Sequence, residues 1–183
     1  MKIEDIPDLI FVKIDKSNYL EYLDQLVKLD EEFNQLHIDN AYFQLLTPKQ
    51  NGDIDFKKFI IEEINSDEEY FYEIVMEKEA LKIEGGSSSS KCEKAVAYIL
   101  CFLKDKSDFY KENKVGYIDG VYVDEYCRGK GLGRLLMNHA EEFCKANDVN
   151  NISLSVKFKN VKAVSLYKEL GFVESDIMMY KSL

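Results

Sequence analysis

An α/β domain with a mixed sheet is what this chain predicts, on three observations. Short runs of β-branched and aromatic residues alternate with stretches of helical periodicity. The second half runs strand, helix, strand, helix in succession. Between its first strand and helix stands a glycine-rich turn, Arg128-Gly129-Lys130-Gly131-Leu132-Gly133. With 183 residues, 46% of them hydrophobic, residues 1–183 suit one domain with a sizeable core.

Leu9–Ile14 has the composition of a short strand, and Ser17 or Asn18 stands where a helix N-cap belongs. Tyr19, Leu20, Leu23, Leu26, Val27 and Phe33 then recur at threes and fours, with Asp30 breaking the stripe. Thr47-Pro48-Lys49-Gln50-Asn51-Gly52 is a loop by its breakers, and Phe56, Phe59, Ile60 and Ile64 share the face of a second helix. Tyr70–Met76 and Ala95–Leu103 read as strands. The Gly85-Gly86-Ser87-Ser88-Ser89-Ser90 run between them has nothing to bury, which predicts a mobile loop over 84–91 and no domain boundary. Lys114–Val123 is a further strand. After the glycine turn, Leu132, Leu135, Leu136, Ala140, Phe143 and Cys144 follow at helical spacing. Ile152–Val156 reads as a strand, Val161–Leu170 as a helix stopped at Gly171, and Phe172–Tyr180 as a closing strand.

The net charge of −10 is unevenly spread: residues 1–90 hold 21 acids and 9 bases, residues 91–183 hold 13 acids and 15 bases. That balance argues against nonspecific nucleic-acid binding, which needs a basic surface to displace counterions. It suits a cationic molecule approaching the N-terminal half and an anionic one the C-terminal half. No apolar run is long enough to span a bilayer and the first residues lack a signal-peptide pattern, so the reading is a soluble, cytoplasmic protein without a membrane partner. Cys92, Cys101, Cys127 and Cys144 have neither the short paired spacing nor the histidine company of a metal site; free thiols and no metal are expected.

The chemistry concentrates at the glycine turn. A helix start leaves backbone N–H groups without partners, and the helix dipole adds a positive end, so the turn is an anion cradle. Arg128, Lys130 and Arg134 add positive charge, and the glycines let a phosphate approach the backbone. A P-loop would end in Gly-Lys-Ser or Gly-Lys-Thr, whereas this one ends Gly131-Leu132-Gly133-Arg134. A dinucleotide fold would carry Gly-x-G-x-x-Gly early in the chain; here the spacing is Gly-x-Gly-x-Gly and late.

The run Val121-Tyr122-Val123-Asp124-Glu125-Tyr126-Cys127-Arg128-Gly129-Lys130-Gly131-Leu132-Gly133-Arg134-Leu135-Leu136 resembles the cofactor motif of the GNAT family of N-acetyltransferases. Asn160-Val161-Lys162-Ala163-Val164-Ser165-Leu166-Tyr167-Lys168-Glu169-Leu170-Gly171-Phe172 resembles that family's later motif. The match is good over 95–180 and holds only in element order over 1–94, where Leu36-His37 and Tyr42-Phe43 resemble the substrate-side helices. The resemblance implies an α+β fold: a mixed, mostly antiparallel central sheet, flanked by helices, whose central strands splay apart. Residues 95–183 would be the acetyl-coenzyme A-binding core and 1–94 the acceptor side. Acetyl-coenzyme A would lie along the backbone of Val121, Tyr122 and Val123, with its pyrophosphate on the amides of Arg128, Gly129, Lys130, Gly131, Leu132, Gly133 and Arg134. Asn160 and Tyr167 would also touch it, and two copies of the chain would pair through late strands.

The implied activity is direct transfer of an acetyl group to an amine, without a covalent acetyl-enzyme. Tyr167 stands seven residues after Asn160, where the family places the acid that protonates the leaving thiolate; packing in the core is the other reading of it. Asn160 either bonds the cofactor or caps its helix. Strand alternation puts Val115, Tyr117, Asp119, Val121 and Val123 on one face, with Asp119 the single acid. Asp119 is therefore a candidate base, while Asp119-Gly120 also suits a β-bulge, and both can hold. His139 falls on a buried stripe and reads as a satisfied core histidine; His37 is the better functional candidate. The acidic N-terminal half points to a cationic small amine or a lysine as acceptor. A protein N-terminal acetyltransferase and a noncatalytic acyl-coenzyme A sensor are the alternatives.

Overall fold

A computed structural model describes residues 9–39, 54–78, 93–106, 113–179 and 181. The expected loops at 47–52 and 84–91, the Tyr42-Phe43 stretch and Cys92 lie outside these residues. Five strands form one sheet in chain order: β1 (Leu9–Ile14), β2 (Tyr70–Lys78), β3 (Glu93–Asp105), β4 (Lys114–Val123) and β5 (Ile152–Leu154). The first four are antiparallel and β5 runs parallel to β4. Helices α1 (Tyr19–Asp39) and α2 (Phe56–Ile64) sit on one face, α3 (Leu132–Ala146) and α4 (Val161–Glu169) on the other. The sheet is mixed and mostly antiparallel, as the sequence implied.

Alternation along the buried strands divides the core into two layers. On β3, Ala97, Ile99, Cys101 and Leu103 face α3, where Leu132, Leu136, Met137, Ala140 and Cys144 meet them. Tyr98, Leu100 and Phe102 face α1 and α2, against Leu23, Leu26, Leu29, Ile60 and Ile64. Each such leucine or isoleucine, at 5% exposure or less, contributes about 1.5–3 kcal/mol by burial. The Asp15 carboxylate accepts the Ser17 N–H at 2.7 Å, and Asn18 accepts the Asp15 N–H at 2.9 Å, forming the turn into α1.

Strand β4 departs from simple alternation. Its register with β3 passes from Leu100 opposite Gly120 to Cys101 opposite Ile118, leaving Asp119 as the extra residue of a bulge. The bulge inverts the facing of the strand. Gly116 and Ile118 lie toward α3 before it, and Val121 and Val123 lie toward α3 after it. Val115, Tyr117, Asp119, Val121 and Val123 therefore do not share one face, because the inserted residue breaks the period of two.

Two further expectations at the C-terminal end are corrected. Strand β5 stops at Leu154 and does not reach Val156, because it pairs with β4 only from Gly116 to Ile118. The described residues of Phe172–Tyr180 form no strand: Val173, Ile177, Met178 and Met179 are 76–90% exposed. Alternating apolar residues make a strand only with a neighbouring strand to pair with, and the five-stranded sheet does not take in this segment.

Candidate active site

Beyond Ile118 the paths of β4 and β5 separate, and a groove opens between them. Asp119, Gly120 and Val121 of β4 form one wall, and Leu154 to Lys157 form the other. Its floor on one face of the sheet comes from α1, through Phe33, Leu36 and His37; on the opposite face it comes from Asn160, Ala163 and Tyr167 at α4. The opening thus joins the two sides of the sheet. In the stretch from Asp119 to Val123, the β4 edge turned toward β5 has no strand partner among the described residues.

The glycine turn lies just past the end of β4. Gly129 and Gly131 have φ of +75° and +87°, a left-handed backbone that an L side chain adopts only with strain. Gly131 caps α3 without a side chain, and the first turn closes through Leu135 N–H to the Gly131 carbonyl at 3.0 Å. The N–H groups of the residues between precede that bond and so have no intrahelical acceptor. Gly133 packs against α4, where an added Cβ would stand 3.5 Å from Leu166 Cδ2.

The basic residues divide their attention. Arg128 Nε donates to the Val123 carbonyl at 2.7 Å, with its guanidinium 5.6 Å from the Tyr122 ring, and Arg134 pairs with Glu169 at 2.6 Å. Tyr122 is 7% exposed and faces α1, where its hydroxyl bonds Glu32, so only its backbone borders the strand edge. Leu132 likewise spends its side chain on the core.

Tyr167 and Asp119 line the same groove, from opposite faces of the sheet. The Tyr167 ring lies 5.8 Å from Phe172, and burial pushes its phenol up to about 12, so it stays protonated and able to donate. Asp119 is turned out by the bulge and open to solvent in the groove, yet the surrounding protein atoms still raise its pKa. Lys104 and His37 work against that rise and Glu68 adds to it. Asn160 caps α4, its side chain accepting the Ala163 N–H at 3.3 Å, while also lining the groove. His37 stacks edge-on against Phe33 at 4.4 Å, and burial, aided by Lys157, lowers its pKa.

Other candidates lie elsewhere. His139 is half-buried on α3, its Nδ1 2.7 Å from a carboxylate oxygen of Glu73 on β2 and its ring edge-on to Phe11. That is the satisfied core histidine the stripe predicts. Cys101, Cys127 and Cys144 are buried free thiols, and burial raises the Cys127 pKa despite its hydrogen bond with Tyr126 and the charge of Lys130. Among the described residues no group of His, Cys, Asp or Glu is arranged to hold a metal ion, and no helix is long and apolar enough to cross a membrane.

Asp30 and Glu63 are the residues the sequence reading passed over. Asp30 is 8% exposed on the apolar face of α1 and hydrogen-bonds the Tyr98 hydroxyl. With Glu63 it lines a second cavity of about 230 Å³ that shares Phe33, Asp119 and Gly120 with the groove. The signal was present: an acid interrupting a buried stripe needs a polar partner or a ligand.

A splayed parallel strand pair, a glycine-capped helix beside it, and a tyrosine and an acid lining one groove make up the site. Residues 37–172 match the family model of the acetyltransferase (GNAT) family, and the chain belongs to that family of acyltransferases. It is 33% identical over 85 residues to an uncharacterised N-acetyltransferase of Methanocaldococcus jannaschii, covering 46% of this chain and 37% of that protein. It is 35% identical over 57 residues to the [ribosomal protein bS18]-alanine N-acetyltransferase of Salmonella typhimurium, covering 31% and 38%. The matches thus span little more than a third of these relatives' lengths. A predicted acetyltransferase of Clostridium acetobutylicum solved with acetyl-CoA superposes with a TM-score of 0.64 at 17% identity, over 96% of each chain, a likeness of fold.

Proposed function

We propose that this chain transfers the acetyl group of acetyl-coenzyme A to a primary amine, by direct attack with both substrates bound. The observation that carries the reading is the groove itself, which brings Asp119 and Tyr167 to one gap beside the glycine cradle. The residues fit the donor. An unpaired strand edge offers the backbone groups of Val121 and Val123 to an extended amide-bearing arm, as β-augmentation does. The Val123 carbonyl already accepts one bond from Arg128, so its second lone pair and the neighbouring N–H groups are what remain for the arm. The turn from Arg128 to Arg134 supplies amides and charge for the pyrophosphate. When bound, the donor supplies an acetyl group activated as a thioester.

Asp119, directly or through a water it orders, takes the proton an acceptor ammonium must lose before its nitrogen can attack. Its raised pKa makes it a stronger base than a surface carboxylate. The Tyr167 hydroxyl donates a proton to the sulfur as the carbon–sulfur bond breaks and the carbon–nitrogen bond forms. The second proton, shed by the nitrogen as the amide forms, returns through water to the Tyr167 phenolate, and Asp119 releases the first to solvent. His37 borders the acceptor entrance from α1.

The acceptor side is acidic, which favours a cationic small amine or a lysine side chain. A protein N-terminus is the second reading, favoured by the likeness to the bS18-alanine enzyme. Release of free coenzyme A over a panel of amines and peptides tests the activity, and binding of acetyl-coenzyme A without turnover on any acceptor would favour a sensor. Tyr167→Phe should lower turnover about 10²–10⁴-fold, the usual contribution of a positioned acid. The KM for acetyl-coenzyme A should stay within about twofold, since uniform binding is left intact; unchanged turnover would remove Tyr167 as the acid.

A further inference from the structure

The cavity behind Asp119 has no part in the mechanism above. It lies between α1, α2 and the α1-facing side of β3, and its walls include Asp30, Glu63, Phe33, Phe56, Phe59 and Tyr98. Two carboxylates among aromatic rings suit a methylene chain ending in an ammonium group, which the acids attract and the ring faces also favour. The cavity and the groove share Phe33, Asp119 and Gly120 as lining, so the two adjoin at the candidate base.

A second observation is independent of the acids. Tyr72 on β2 is 2% exposed, its ring 5.9 Å from that of Tyr98, and its hydroxyl has no hydrogen-bond partner among the described residues. Tyr72 is not on the cavity wall but packs against Tyr98, which is, and its hydroxyl lies in the field of Asp30, Glu63 and Asp119. A buried polar atom left unpaired costs about 1–3 kcal/mol and calls for a reason, such as an ordered water, an ion or a functional role. The chain's own nearby cation, Lys104, stacks over Phe102 and Tyr117 at 5.4 and 4.3 Å and does not line the cavity.

We propose that this cavity is a subsite for a second ammonium group, so that the acceptor is a diamine or longer polyamine: one nitrogen stands at Asp119, and another is held by Asp30 and Glu63. The proposal rests on the N-acetyltransferase reading. Burial, and after it repulsion from Asp119, raise Asp30 to about 6 and Glu63 to about 8, with Asp30 adding to the rise at Glu63 and Lys104 opposing it. A bound cation reverses that repulsion, which adds to the preference for a dication.

The test compares 1,4-diaminobutane with n-pentylamine, in which a methyl group replaces the second ammonium, and extends to diamines of three to six carbons. Wild-type kcat/KM should be at least about tenfold higher for the best diamine. Asp30→Asn and Glu63→Gln should each lower the diamine value at least about tenfold more than the monoamine value, through KM more than kcat. Thermal unfolding of both variants checks that they fold. Equal use of both amines by the wild type, or variants that lower both alike, would overturn the subsite and leave N-acetylation standing. Acetylation of no amine would overturn the reaction instead. In that case calorimetric binding of 1,4-diaminobutane, weakened in Glu63→Gln, would still support the subsite, and its absence would end it.

Discussion

Replacing Gly120 with alanine would place a methyl group 2.8 Å from the Tyr98 hydroxyl oxygen and 3.0 Å from its Cε2. Tyr98 is 2% exposed and bonded to Asp30, so its ring cannot turn away without breaking that bond. Forcing a methyl-sized group into a packed core costs about 1–3 kcal/mol. If the phenol and carboxyl are driven apart, the unpaired groups add about 1–3 kcal/mol more. Alanine restricts the unfolded chain and returns about 0.4–1 kcal/mol. The net loss is on the order of 2 kcal/mol, which for a domain of this size lowers the midpoint by about 4–8 °C. Urea and thermal unfolding of Gly120→Ala, Tyr98→Phe and the double variant measure it. Without the hydroxyl, the alanine should cost at least about 0.5–1 kcal/mol less. Strict additivity, or a Gly120→Ala protein as stable as wild type, would refute the packing of the bulge against Tyr98.

Asp119→Asn should remove the acid limb of the kcat/KM profile: the base works ionised, its pKa lies above the ordinary value, and activity falls as pH drops through it. An unchanged limb would assign the titration to another group. Asp30 and Glu63 are raised to about 6 and 8, so the folded protein holds their protons more tightly than the unfolded chain. The resulting stability is complete below about pH 4 and is lost as pH rises toward about 8, so the urea midpoint should decline across that window, less steeply in Glu63→Gln. A decline as steep in the variant would contradict the burial of Glu63. Asn160→Ala should cost about 1 kcal/mol in unfolding experiments through the lost α4 cap, and a neutral result would deny the cap.

The parts of the site that could be read in the sequence are those written in local chemistry. Gly129 and Gly131 announce a left-handed turn before a helix, and the spacing of Asn160 and Tyr167 belongs to one helix and its cap. Asp119-Gly120 showed that a bulge was available, but the inversion of β4 depends on Leu100 and Cys101 across the sheet. Asp30 and Glu63 belong to different helices, so their meeting at one cavity is a tertiary fact with no local spacing to record it. Phe172–Tyr180 failed for a related reason: alternation describes what a strand can bury, while pairing depends on a neighbour that no local pattern names.

The unpaired stretch of β4 has a consequence for what the domain can admit. Open strand edges elsewhere invite any extended polypeptide to add itself. This one lies in the interior of a sheet, with β5 on its far side and α1 and α4 above and below. An extended chain placed between β4 and β5 would turn its side chains alternately toward α1 and α4, because strand side chains stand above and below the sheet. A peptide would have to place those side chains against the two helices, whereas a linear arm of methylenes and amides has none to place. The divergence of β4 and β5 therefore favours an arm without side chains, turning a hazard of β structure into selectivity.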